Sequence, residues 1–182
     1  MRIPNKLKEK EQIEEFARKR DEGVSAKIIE KEKALMERML EAADREYMTL
    51  DDLIAVADWK SHRVLPHCRL NSEAAVEEIT ATSFAAAMRC SDASICALLV
   101  LRGVGWPMAS VILHFAFPYK YPILDKMAMK AVDGSTDYTI EQWKEYTELC
   151  HSTAQKHDIA MRTLDKALWL YGKERDDKDK VT

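Results

Sequence analysis

Glycine and proline are scarce in this chain, five of each among 182 residues. So few turn formers argue against the closely spaced strands and turns of a sandwich or barrel, and they exclude Pro/Gly-rich low-complexity sequence. Cysteine is sparse as well. Cys68, Cys90, Cys96 and Cys150 form no CxxC pair and have no His/Cys spacing suited to zinc. No apolar run is long enough to span a membrane, and the opening MRIPNKLKEKEQIEEF has no apolar signal core. A cytoplasmic protein with reduced, mostly buried thiols and no membrane contact is therefore expected. An excess of either charge is missing too: 28 Lys and Arg face 31 Asp and Glu, for a net charge of −3. That balance argues against nucleic-acid binding through bulk positive charge.

What is present is helix-forming sequence. The chain is 47% hydrophobic and rich in Ala, Leu, Met, Glu and Lys, which predicts an all-α fold, either one compact helical domain or two small helical lobes. Residues 6–43 read as one or two charged helices broken at Gly23-Val24-Ser25, with an apolar stripe of Ile28, Ile29, Leu35, Met36, Met39 and Leu40. Thr49 followed three residues later by Asp52 predicts a capped helix. Asn71 is expected to cap SEAAVEEITATSFAAAM, Ser91 or Asp92 the next helix, and Thr139 a helix with Trp143, Tyr146, Leu149 and Cys150 on its core face. The last helix is expected over about 158–171, stopped by Gly172. Residues 1–172 then form a single compact unit, and 173–182 a charged, disordered tail.

The most informative stretch is LRGVGWPMASVILHFAFPYKYPILD, residues 101–125. Gly103 and Gly105 stand between two apolar helical runs, with Ile95, Leu98, Leu99 and Leu101 before them and Ala109, Ile112, Leu113 and Phe117 after. A Gly-Val-Gly turn lets the backbone adopt positive φ and approach a ligand closely, while Val104 tucks beneath. The amides of the turn and of the next helix's first turn then face outward as an anion site. Pro107 fits a first helical turn, where its missing N–H costs little.

Leu98, Leu101, Gly103, Val104, Gly105, Ala109, Ile112 and Leu113 fill the fixed positions of the helix-hairpin-helix consensus. Residues 92–132, about a quarter of the chain, resemble the helix-hairpin-helix DNA glycosylase superfamily, endonuclease III-like members in particular. The hairpin itself spans 92–117. The resemblance implies that Gly103, Val104, Gly105, Trp106, Lys120 and Lys126 contact duplex, damaged DNA, and that Asp125 is the catalytic carboxylate of base excision repair. It also implies a pocket for the extruded base, with Tyr119, Tyr121 and Trp59 as candidate walls. Bifunctional members carry a nucleophilic lysine where this chain has Pro107, so the resemblance points to a monofunctional enzyme without lyase activity. The cluster-binding cysteine tail of some relatives is missing, and neither an iron–sulfur cluster nor another cofactor is expected.

Other readings of the same residues stay open. Asp125 sits where an N-cap would, between YPIL and KMAMKAV. The hairpin could be a helix-turn-helix packing unit, or a non-catalytic module for DNA or a protein partner. Residues 59–69 hold Lys60, Arg63, Arg69, His62 and His67 and no acid, and with the lysines after the hairpin they could form one basic face. His114 reads as a core histidine, and Arg162 with Asp165 as an ion pair on one helix face.

Overall fold

The computed structural model describes residues 1–180. After a short 3-10 turn at Asn5–Leu7, the helices in chain order are α1 (Lys10–Glu22), α2 (Ala26–Asp44), α3 (Leu50–Lys60), α4 (Leu65–Cys68) and α5 (Glu73–Ala87). They continue as α6 (Ser91–Leu98), α7 (Trp106–Ala116), α8 (Lys126–Ala131), α9 (Ile140–His157) and α10 (Met161–Asp179). Among the described residues there is no strand, and no helix is long and apolar enough to cross a membrane.

The chain divides into two compact units, Ala26–Phe117 and a second one made of Met1–Ser25 with the residues from Pro118 onward. This corrects the single unit over 1–172. The reason is a long-range one: α1 packs against α10, so the two ends of the chain build one core while α2 to α7 build the other.

In the unit Ala26–Phe117, α7 is the central element. Every residue from Met108 to Ala116 is buried, Ser110 and His114 included, as expected of a helix that is apolar all round. It packs against α2, α3 and α6, and α5 pairs with α6. Burying side chains such as Ile112 and Phe115 contributes about 1.5–3 kcal/mol each. From the expected α2 stripe, Leu35 and Met39 are buried, whereas Ile28 and Leu40 stay partly exposed. Thr49 caps α3 through a full capping box with Asp52. Asp52 is itself buried and paired to Arg38 and Arg45.

In the other unit, α10 packs on α1, α8 and α9. It passes straight through Gly172, against the expected stop. A Cβ at Gly172 would lie 1.8 Å from the Met127 carbonyl oxygen, so this glycine is there to let α10 press on the backbone of α8. Residues 173–179 are likewise helical rather than a disordered tail. Their charges are anchored: Lys130 reaches Asp176 at 3.0 Å, and Arg175 donates to the Lys130 carbonyl at 2.9 Å and to Asp133 at 2.7 Å. Thr139 caps α9 as predicted. Arg162 and Asp165 form the expected pair at the start of α10.

The cysteines are all free, but only Cys68 and Cys150 are buried; Cys90 and Cys96 are exposed, which corrects the mostly buried set.

Candidate functional site

Two helices joined by a tight turn form where the glycines predict them. α6 ends at Leu98, the chain turns through residues 99–105, and α7 begins at Trp106. The first helix of this hairpin follows Cys90, which makes no side-chain cap, so neither Ser91 nor Asp92 takes the expected capping role. Gly103 has φ +80°, a left-handed conformation costing an ordinary residue about 1–2 kcal/mol. It also has no room for a side chain. A Cβ there would lie 2.7 Å from the Cys68 sulfur, 3.0 Å from the Cys68 amide nitrogen and 3.1 Å from the Val64 carbonyl oxygen. Val104 is buried beneath the turn, its N–H donating to the Leu101 carbonyl at 3.1 Å.

Gly105 is the N-cap of α7 and is exposed. It offers no side chain to the first-turn amides. Its carbonyl accepts from Ala109 N–H at 2.9 Å, which starts the helix, and Pro107 occupies N2, where no donor is needed. The result is an 11-residue helix whose start is bare backbone, with the partial positive charge of its dipole presented there.

A contact that the sequence pattern does not announce holds this turn. Asn71 does not cap α5; Ser72 does, accepting from Ala75 N–H at 3.2 Å. The Asn71 side chain instead donates to the Cys68 carbonyl at 2.8 Å and the Arg102 carbonyl at 3.0 Å, and accepts from Arg102 N–H at 2.9 Å. It ties the hairpin to the segment around α4. An Asn-Ser pair ahead of a helix offers two possible caps, and that ambiguity is the one signal in the sequence that Asn71 is available for other work.

Asp125 belongs to the other unit. It is the N-cap of α8, with Oδ1 accepting from Met127 N–H at 2.7 Å and Ala128 N–H at 3.4 Å. Tyr138 lies within its field: burial chiefly, and the Asp125 charge in addition, push that phenol up to about 12. Tyr146, fully buried, donates to the Ile123 carbonyl at 3.2 Å and so fixes the loop leading into Asp125.

The remaining candidates separate. Tyr121 is fully buried and stacked on Trp143 at 5.8 Å, which corrects its role as a pocket wall: its ring is already covered. Trp59 is half-buried, with its ring edge-to-face on Phe115 at 5.1 Å. It borders a cleft of about 650 Å³ between α2 and α3 that also contains Lys31, Arg38 and Asp58. Tyr119 is 87% exposed and lines a cleft of about 310 Å³ with His151, Gln155 and Asp158. His151 Nε2 is hydrogen-bonded to the Lys120 carbonyl. Trp106 is half-buried on α7, Lys120 half-buried and Lys126 exposed. Among the described residues no group of three or more His, Cys, Asp or Glu is placed to hold a metal ion.

Compared with known protein families, curated proteins and solved structures, the chain matches none.

Proposed function

We propose that this chain binds the phosphate backbone of duplex DNA through the hairpin at 101–108 and acts as a monofunctional, glycosylase-like hydrolase at Asp125. The observation that carries the reading is the start of α7. An exposed glycine N-cap without a capping side chain, beside a left-handed Gly103 packed against Cys68 and Val64, supports docking of an anion directly against backbone N–H groups. A phosphate diester of a DNA backbone is one anion that such bare backbone can receive.

Asp125 would act after the target base has left the stack, an extrusion costing roughly a few kcal/mol. As the C1′–N bond breaks, the electron pair leaves with the base and positive charge grows on the sugar, as in glycoside hydrolysis. A fixed carboxylate stabilises that charge and orients the water whose oxygen bonds to C1′. The proton given up by the water ends on the departing base. The capping bonds to Met127 and Ala128 hold the carboxylate in place for this role.

Those same bonds favour a second reading, in which Asp125 only caps α8 and the protein is a DNA-backbone module without chemistry. The substitution Asp125→Asn separates the two, because asparagine is an equally good N-cap. Base release is to be measured from duplexes carrying alkylated, oxidised, deaminated or mismatched bases, with free base resolved from strand breaks. Release by the wild type that disappears in Asp125→Asn, with strands cut only after alkali, is the expected result. Salt-sensitive DNA retention without release from any duplex would leave the binding module, and no retention at all would overturn both readings.

A further inference from the structure

We infer that the segment between α3 and α5 is a second phosphate-binding element, in which Arg63, Arg69 and Arg102 extend the footprint of the hairpin along a duplex. This rests on the DNA-binding reading of the hairpin and names residues that the hairpin consensus does not contain.

The placement follows from the backbone. Gly103 faces the Val64 carbonyl and the Cys68 amide so closely that a Cβ would stand 3.1 and 3.0 Å from them. Arg63 precedes Val64 and Arg69 follows Cys68, so both flank the surface on which the turn rests. Arg102 immediately precedes Gly103, and its N–H and carbonyl are both held by Asn71. The three hydrogen bonds of Asn71 and the missing Cβ of Gly103 thus hold the backbone that carries the three arginines close against the hairpin turn.

Charge on this patch is available for a partner. Several arginines elsewhere are spent on the fold: Arg20 pairs with Asp21, Arg38 and Arg45 with Asp52, and Arg175 with Asp133. Arg63, Arg69 and Arg102 are exposed, and no ion pair engages them among the described residues. Residues 59–70 contain no acid. Of the carboxylates at either end, Asp58 is ion-paired with Lys31 and lies 3.2 Å from His62, while Glu73 accepts from the Leu50 N–H at 3.1 Å and keeps its charge. On a chain of net charge −3, three unpaired guanidiniums around a backbone anion site are a local reversal of sign. They suit a polyanion with regularly spaced phosphates, since each guanidinium can take its own phosphate in a forked geometry.

The test is the salt dependence of binding to a fluorescein-labelled undamaged duplex, followed by anisotropy for the wild type, Gly105→Asp and the triple variant Arg63→Gln/Arg69→Gln/Arg102→Gln. Every phosphate that the protein neutralises adds about 0.9 to the steepness of log K against log salt. The triple variant is expected to melt like the wild type and to have a slope shallower by about two to three. Binding that is abolished by Gly105→Asp yet has an unchanged slope in the triple variant would overturn this inference and leave the hairpin reading standing. Binding that Gly105→Asp leaves intact would overturn the hairpin reading, and the second element with it.

Discussion

Gly103 and Gly172 are both places where a side chain is strongly disfavoured, but for different reasons. Gly103 sits in a turn at φ +80° and faces a cysteine sulfur and two backbone atoms. Gly172 sits inside a regular helix and faces the carbonyl of another helix. Conformation and space both demand glycine at the first, space alone at the second. The first serves a surface turn aimed outward; the second serves the closeness of α10 to α8, whose N-cap is Asp125.

The largest loss is expected where α8 and α10 touch. Gly172→Ala is expected to cost about 3 kcal/mol, since backbone rather than a flexible side chain must give way. Chemical denaturation should show it, with amide exchange fastest in α8 and α10. Gly103→Ala should cost about 2 kcal/mol, from the left-handed strain and the crowding of Cys68, and the destabilisation should be confined to α4, α6 and α7. A change of less than half that size would mean the turn adapts and is not locked.

Gly105 behaves in the opposite way to both. A Cβ at Gly105 meets only the Pro107 ring, at 4.0 Å, and aspartate is a favoured N-cap, so the stability of Gly105→Asp should hold or rise by about 0.3 kcal/mol. Duplex DNA binding should nonetheless vanish, because the new carboxylate takes the amides and repels phosphate. The smallest effect is set by pH. Lys180 first, and Lys130 with it, hold the Asp176 carboxyl down to about 2, below its unfolded value. Its contribution is therefore fully present above about pH 4 and disappears as pH falls toward 2. The C-terminal turns of α10 should fray over that window in amide-exchange profiles, and Asp176→Asn should remove the dependence.

These contrasts also mark how much the sequence can tell. Gly103 is readable because two closely spaced glycines between apolar helical runs encode a turn locally. Thr49 and Thr139 are readable for the same reason, each cap lying within three residues of the amide it serves. Gly172 imitates a helix stop because its partner, Met127, lies far away in sequence, and nothing local distinguishes a glycine that ends a helix from one that lets another backbone in. The charged residues 173–179 imitate a solvated tail in the same way: Arg175 and Asp176 look free until Lys130 and Asp133 are brought beside them. Tyr121 looks available for a base because its cover, Trp143, comes from a later helix. Asp125 is readable as an N-cap because the amides it serves, those of Met127 and Ala128, lie within three residues of it.

The pairing of α1 with α10 also has a temporal meaning. During synthesis, residues 26–117 emerge as a continuous stretch and can complete their core while the remainder is still being made. Helix α1 has left the ribosome by then, but α10 follows all the other helices. The apolar face of α1, with Ile13 and Ala17, must wait through the translation of α2 to α9 before it is covered. The hairpin can thus acquire its shape on the nascent chain well before the helix that Asp125 caps has α10 to rest on.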